Sequence, residues 1–427
     1  MKKHNGKKVY DLIKKLFPIN RSITGEGNRK TLNILKKKFK RLKLKEYLSG
    51  TKVFDWKIPP EWNVRDAYVL YKNKKIIDFK KNNLHLVGYS KPFNKKITKQ
   101  ELFKHLYTDL NNKNAIPYIT SYYKKNWGFC LSENSKKKIK GNEFKVVIDS
   151  TFNQKGSLTI GEAIIAGKSK KEILISCNIC HPSMANNELS GPTLLAFLGD
   201  HISKRKNFYT YRILFLPETI GTITYLSSNL KKIKSNFVAG FHLTCIGDDG
   251  KFSMVKTKYG NSYSDEIALK ILKRKKGKIY SFLDCGSDER QYNYPGINLP
   301  VVTLCRSKFG EFKEYHSSMD NLNLISPKSL QISYDFLVNL FNELEKNNND
   351  FKIYSTTKCE PFMSKRGLYR TISRKNDWSK NIKNMFNILY YGDGNRVSEL
   401  SNILKIKKEI IIKIAKKLEK YKLVKII

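Results

Sequence analysis

The chain repeats one pattern at widely spaced places: an apolar run, a polar loop, then a stretch of helical periodicity. Glu172-Ile-Leu-Ile-Ser176 leads through Cys180-His181-Pro182-Ser183 into Gly191 to Ile202, where Leu194, Leu195, Phe197, Leu198 and Ile202 recur at helical spacing. Tyr211-Arg-Ile-Leu-Phe-Leu-Pro-Glu218 precedes a helical stretch from Ile220 to about Asn229, and Val301-Val-Thr-Leu304 precedes the loop Glu314-Tyr-His-Ser-Ser-Met-Asp320. Beyond that loop, Ser326-Pro327 supplies an N-cap and a first-turn proline to a long helix lined by Leu330, Phe336, Leu337, Leu340, Phe341 and Leu344. This alternation predicts a largely parallel sheet covered by helices, an α/β architecture.

Each run is followed by a residue with chemistry: His181, Glu218 and, on the loop beyond the third run, His316. In α/β sheets the side chains just past the carboxyl ends of the strands face the crevice where ligands bind, so distant residues converge there. Two neutral imidazoles and a carboxylate or water are ordinary zinc ligands, and zinc makes its water acidic enough to act as a nucleophile near neutral pH. A nearby glutamate can take the proton and pass it to a leaving amine, the role expected of Glu218. A lone histidine after a strand is more often structural, so the trio and its placement carry the reading, not His181 alone.

The segments resemble the co-catalytic zinc exopeptidases, the aminopeptidase and glutaminyl cyclase superfamily. Ala185-Asn-Asn-Glu-Leu-Ser-Gly191 resembles its metal loop, Pro217-Glu-Thr-Ile-Gly221 its glutamate loop, Ser287-Asp-Glu-Arg-Gln-Tyr292 its substrate-side loop and Tyr315-His-Ser-Ser-Met-Asp320 its last histidine loop. More narrowly, Phe17-Pro-Ile-Asn-Arg-Ser-Ile-Thr-Gly25, Trp56-Lys-Ile-Pro-Pro-Glu-Trp62 and Ser121 to Cys130 resemble a bacterial aminopeptidase-like family with an added β domain and a C-terminal winged helix. The resemblance implies a mixed sheet flanked by helices, zinc on His181 and His316, and Glu218 as the proton shuttle. Arg290 and Tyr292 would then contact a carboxylate or hydroxyl of the substrate; a surface salt bridge is the plain alternative. Asp320 would either orient His316 or cap a turn.

The departures limit the metal. Where the superfamily places a bridging aspartate this chain has Asn187, whose neutral amide is a poorer zinc ligand, and Thr219 and Thr244 stand where other metal acids are expected. One zinc, on His181 and His316 with Asn187, Glu188 or another acid completing its shell, is therefore expected rather than two. The rival is a catalytically weakened relative that binds or regulates.

Cys177-Asn-Ile-Cys180-His181 spells a haem-attachment pattern. Covalent haem attachment belongs outside the cytoplasm, and the N-terminus lacks an apolar export region. Seven cysteines, an odd number over 427 residues, fit free thiols in a reducing, cytoplasmic setting, and no apolar stretch is long enough to cross a membrane. His4, His85, His105, His201 and His242 have no motif around them.

Residues 1–50 and 153–348 are expected to form the α/β domain. Residues 51–152 read as an inserted β-rich domain, with strand runs at Ala67–Tyr71, Lys75–Phe79 and Leu84–Val87. Lys346 to Lys352 is the linker candidate, and 360–427 follows a winged-helix order: helices at Ile382–Leu389, Val397–Leu404 and Lys407–Tyr421, then a strand at Leu423–Ile427. Such modules bind DNA or dock proteins, and Lys407, Lys408, Lys413, Lys416, Lys417 and Lys420 could meet phosphates. The net charge of +45 favours an anionic partner, yet lysine is spread along the whole chain. The sequence thus points to an amide hydrolase acting on a small molecule, modified sugar or short peptide, with nucleic acid as a lesser partner and a homo-oligomer left open.

Overall fold

In the computed structural model, residues 5–346, 350–369 and 380–426 are described. His4 and part of the expected linker, residues 347–349, lie outside them. The chain divides into two compact units, Met1–Phe341 and Asn342–Ile427.

The first unit is built on eight strands: β1 (Lys43–Leu48), β2 (Ser157–Ile165), β3 (Glu172–Asn178), β4 (Thr210–Leu216), β5 (Phe237–Leu243), β6 (Ser253–Val255), β7 (Lys278–Tyr280) and β8 (Val301–Cys305). Their order is β1-β2-β4-β3-β5-β8-β6-β7, and the four central strands β4, β3, β5 and β8 run parallel. Every residue of β3 and β4 is buried, so these strands read as continuous apolar runs rather than alternating ones. The helices are α1 (Asn5–Leu16), α2 (Glu26–Lys38), α3 (Ser190–Ser203), α4 (Ile220–Asn236), α5 (Tyr263–Arg274) and α6 (Pro327–Lys346). Helix α3 packs close to the sheet because position 191 is glycine; a Cβ there would lie 2.7 Å from the Leu243 carbonyl oxygen. Ser326 caps α6 as expected, accepting from the Ser329 N–H at 3.0 Å.

The polar residues within the central strands pair with one another. Arg212 of β4 donates to both carboxylate oxygens of Glu172, at 2.7 and 2.9 Å, and to Glu162 at 3.1 Å. A buried guanidinium so matched holds strand register, and removing one partner of such a pair costs about 3–5 kcal/mol.

Between β1 and β2 the chain forms a separate four-stranded antiparallel sheet from Glu61–Tyr71, Lys74–Asp78, Phe93–Thr98 and Glu143–Asn153. Leu84–Val87, expected as a strand, is instead a 3-10 turn over Asn83–His85 with Leu86 in an isolated bridge to Phe129, because the Asn82 side chain caps the turn. The second unit contains α7 (Lys380–Tyr390), α8 (Val397–Leu404) and α9 (Lys408–Lys420), with a three-stranded sheet of Lys352–Ser355, Asp393–Arg396 and Val424–Ile426. Two of its strands, Lys352–Ser355 and Asp393–Arg396, were not foreseen, and the first lies ahead of residue 360; short polar strands carry little periodic signal. On α9, Ile411, Ile414, Ala415 and Leu418 are buried, whereas Ile410 is exposed along with Lys408, Lys413, Lys416, Lys417 and Lys420.

Candidate active site

From β3 the chain passes through α3 to β4 on one side, and it later returns as β5 on the other side of β3. Such a reversal opens a crevice at the carboxyl ends of the strands. His181 follows β3 and Glu218 follows β4 at this point. His316 arrives on the long loop after β8, and its ring centroid is 5.0 Å from that of His181.

His181 is gripped by Glu188. One carboxylate oxygen of Glu188 accepts the His181 backbone N–H at 2.8 Å and the other pairs with Nδ1 at 2.7 Å, which leaves Nε2 turned away from that clamp. Burial disfavours a charged His181 ring, but Glu188 and Cys180 outweigh it and hold its pKa well above the ordinary value. Glu188 rides on a single helical turn, Ala185–Leu189, whose first N–H groups are received by Asp320: Asn186 at 2.6 Å and Asn187 at 2.8 Å on its two carboxylate oxygens, Ala185 at 3.0 Å on its carbonyl. Of the two roles expected of Asp320, capping a turn or orienting His316, the hydrogen bonds show the capping of this turn. Burial pushes its carboxyl up to about 7 against the pull of those N–H groups.

Glu218 lies across the crevice. Its Oε2 is 3.6 Å from His181 Nε2, its Oε1 accepts from the Ser287 hydroxyl at 3.1 Å, and its backbone N–H donates to the Cys180 sulfur at 3.2 Å. Burial is the main cause that pushes its carboxyl up to about 7; His181 opposes this, while Asp288 and Glu188 add to it. Ser287 is in turn held by Asn178, at 3.2 Å, and by His242, at 3.1 Å, whose other nitrogen meets Ser176 at 3.0 Å. His242, which had no motif around it, therefore belongs to the polar chain behind Glu218.

His316 is in the opposite condition. Burial, reinforced by His181, pushes its ring down to about 3, so it is neutral, and its buried Nε2 has no hydrogen-bond partner among the described residues. Tyr315 stacks on it at 3.9 Å and Tyr118 meets it edge-on at 5.3 Å. The Tyr118 N–H also donates to the His316 carbonyl at 2.8 Å, so the inserted segment fastens the loop. Tyr118 has no local sequence signal that would have revealed this role.

Four non-glycine residues near the crevice hold positive φ: Ser183 at 47°, Thr219 at 63°, Cys245 at 45° and His316 at 51°. They fall one in each of the loops following β3, β4, β5 and β8. Such backbone costs on the order of 1–3 kcal/mol per residue and clusters where function requires it.

Asn187 is buried nearby, its carbonyl accepting from Thr244 at 3.1 Å and its amide oxygen 3.9 Å from the Cys245 sulfur. Cys180, His181 and Glu188 offer three donor atoms within 4.8 Å of one another, but both Glu188 oxygens are spent on His181 and burial pushes the Cys180 thiol up to about 12. They form a hydrogen-bonded support rather than a metal centre. Among the described residues the Nε2 of His316 has no hydrogen-bond partner, and its ring centroid lies 5.0 Å from that of His181, so these two imidazoles are the donors in the crevice not already spent within the protein.

The substrate-side loop is placed less favourably. Arg290 is exposed and its Nε donates to the Ser287 carbonyl at 3.0 Å. Tyr292 has no solvent surface and sits in the hydrophobic core. That position corrects the expected contact with substrate: four residues of helix, Glu289–Tyr292, turn its ring inward.

A model of a domain of unknown function, DUF4910, matches residues 10–347, and a winged helix-turn-helix model matches residues 352–426. A Clostridium acetobutylicum protein, named for polysaccharide biosynthesis and an aminopeptidase-like domain, is 46% identical over 392 residues, 91% of this chain and 89% of its own. The crystal structure of a C. acetobutylicum protein named as a peptidase superposes with a TM-score of 0.79 at 42% identity, covering 99% of this chain and 97% of that one. The zinc aminopeptidase of Bacillus subtilis shares the fold, with a TM-score of 0.58 at 13% identity over 79% of this chain and 94% of its own. The chain belongs to the DUF4910 family, aminopeptidase-like in fold, here joined to a C-terminal winged helix.

Proposed function

We propose that this protein is a metal-dependent hydrolase that cleaves an amide bond, with His181 and His316 holding one zinc ion and Glu218 moving the proton. The observation that carries this is a neutral His316 ring whose Nε2 has no partner among the described residues, its centroid 5.0 Å from that of His181, beside a carboxylate tuned to about 7. Asn187 is the weak third donor, and its neutrality suits one ion better than two. When bound, zinc supplies Lewis-acid polarisation of a carbonyl and lowers the pKa of water.

Glu218 takes the proton of the attacking water and returns it to the leaving amine. A carboxylate near pH 7 is matched to both halves of that transfer. Ser287 holds one oxygen of Glu218 and leaves the other facing the crevice. Glu188 fixes the His181 ring, and Tyr315 and Tyr118 fix that of His316, so neither needs to be ordered during the reaction.

The substrate is a small molecule, modified sugar or short peptide. The name of the C. acetobutylicum relative supports a sugar amide within surface-polysaccharide metabolism, and a cytoplasmic setting agrees with seven unpaired cysteines. Among the described residues no helix is long and apolar enough to cross a membrane. Asn187 favours a second reading, a binding or regulatory protein that has lost the chemistry. The exposed lysines of α9 support nucleic acid as a lesser partner.

Elemental analysis of the purified protein tests the first reading. About one zinc per chain, absent after His181→Ala with His316→Ala, together with hydrolysis of an amide panel that fails in Glu218→Gln, supports it. No zinc even after supply, and no turnover, leaves the binding reading.

A further inference from the structure

Away from this crevice lies a second cavity, of about 350 Å³, lined by Lys251, Lys278, Tyr280, Arg306, Lys308 and Glu311. Its floor is Arg306, which is only 7% exposed. Buried arginines are ordinarily matched by carboxylates, as Arg212 is by Glu172 and Glu162. Arg306 has no direct ion pair among the described residues, although the Asp248 and Asp249 carboxylates lie near enough to favour its charge. Its Nε donates to the Gly250 carbonyl at 2.8 Å and its Nη1 to the Ser329 carbonyl at 3.3 Å, and its guanidinium lies 4.8 Å from the Phe252 ring centroid. Nη2 has no acceptor among the described residues.

The rest of the wall is cationic and ordered. Lys308 packs between rings, its Nζ 5.2 Å from the Tyr280 centroid and 4.9 Å from that of Phe309. Glu311 is the one carboxylate in the lining, and it is taken up by the Tyr280 hydroxyl at 2.5 Å and by Lys308 at 3.5 Å. Lys251 and Lys278 are exposed at the rim, without ion-pair partners among the described residues. Basic residues are common across this chain, but a buried arginine with no direct carboxylate contact among the described residues, under a concave cationic wall, is not what scattered surface lysines produce.

The cavity also touches the candidate active site through the fold. Asp248 accepts the Gly250 N–H at 2.6 Å and the Ser307 N–H at 3.3 Å on the cavity side, and the Asn186 side chain at 2.6 Å on the metal-loop side. Gly250 has no room for a Cβ, which would lie 2.2 Å from the Ser307 hydroxyl. On the other flank Phe312 meets Tyr315 at 5.5 Å, and Tyr315 stacks on His316.

We infer that this cavity binds the phosphate or diphosphate group of a small molecule, with Arg306 and Lys308 at its base and Lys251 and Lys278 closing over it. A guanidinium fork and convergent ammonium groups suit a multiply charged tetrahedral anion such as phosphate, and Tyr280 and Phe312 also line the cavity. The inference is independent of whether the crevice hydrolyses an amide.

Calorimetric titration of the full chain with inorganic pyrophosphate at fixed ionic strength tests it. The expected result is saturable binding near one per chain, at least tenfold weaker in Lys251→Gln with Lys278→Gln and unchanged in the charge-matched Lys95→Gln with Lys155→Gln. Both pairs are exposed, so folding is retained and is checked by thermal melting. No saturable binding, or equal weakening in both double variants, overturns the site in favour of general charge attraction. A parallel titration with adenosine diphosphate separates the sources: affinity tenfold above pyrophosphate means that the group arrives on a nucleoside, and equal affinity means that the anion alone is recognised.

Discussion

The two histidines that face the crevice occupy opposite settings. His181 follows a fully buried strand, is clamped at two atoms by Glu188, and is held as a cation by that carboxylate when no metal is present. His316 sits on a loop at positive φ, neutral, with a nitrogen that none of the described residues satisfies. One half of the site is therefore satisfied within the protein, and the other, under the proposed function, would be satisfied by a ligand. The difference teaches where the site stores its cost: an unsatisfied buried nitrogen is worth about 1–3 kcal/mol against stability, recoverable on binding.

The largest test concerns what the halves enclose. Glu218→Gln is expected to lower kcat by about 10²–10⁴ while zinc content holds, because a neutral amide cannot carry the proton; turnover equal to wild type would show that Glu218 is not the base. Next, in metal-free protein followed by urea denaturation, His181→Ala should lose about 3–5 kcal/mol by stranding Glu188 as a buried, unpaired charge. His316→Ala should be far milder, since it removes a group that was never satisfied. Equal losses would erase the contrast between the halves.

Smaller effects refine it. Glu188→Gln should weaken zinc binding about 10- to 100-fold, measured by competition with a chelator, by loosening the ring it orients. Asn187→Asp should raise metal stoichiometry above one by supplying the bridging charge; an unchanged count would show that Thr219 and Thr244 alone limit the site. The two histidines should also tilt metal-free stability oppositely with pH. His181, with a raised folded pKa, contributes fully below about 6.5 and fades as pH rises through that raised value. His316, depressed to about 3, resists protonation in the folded state, so it costs stability as pH falls below about 6.5 toward 3. Denaturation curves across pH for the two alanine variants should each lose one of these slopes.

Much of the central sheet was legible because β3, β4 and β8 are buried on both faces and announce themselves as apolar runs. The residues just beyond them, His181 and Glu218, were legible for the same reason: position after a strand end predicts crevice placement. Tyr292 was misread, since a four-residue helix after Asp288 has no periodicity long enough to show which way it turns. The Lys352–Ser355 strand was missed because it is short and half polar.

The sequence by itself determined the layered α/β architecture, the winged-helix order and the identity of the chemical groups, because burial imposes a period on the chain. Only the tertiary structure decided their states. The clamp of Glu188, the cap of Asp320, the latch of Tyr118 and the burial of Arg306 all depend on which groups meet across long sequence separations. Protonation and hydrogen bonding are set by those neighbours, which periodicity does not record.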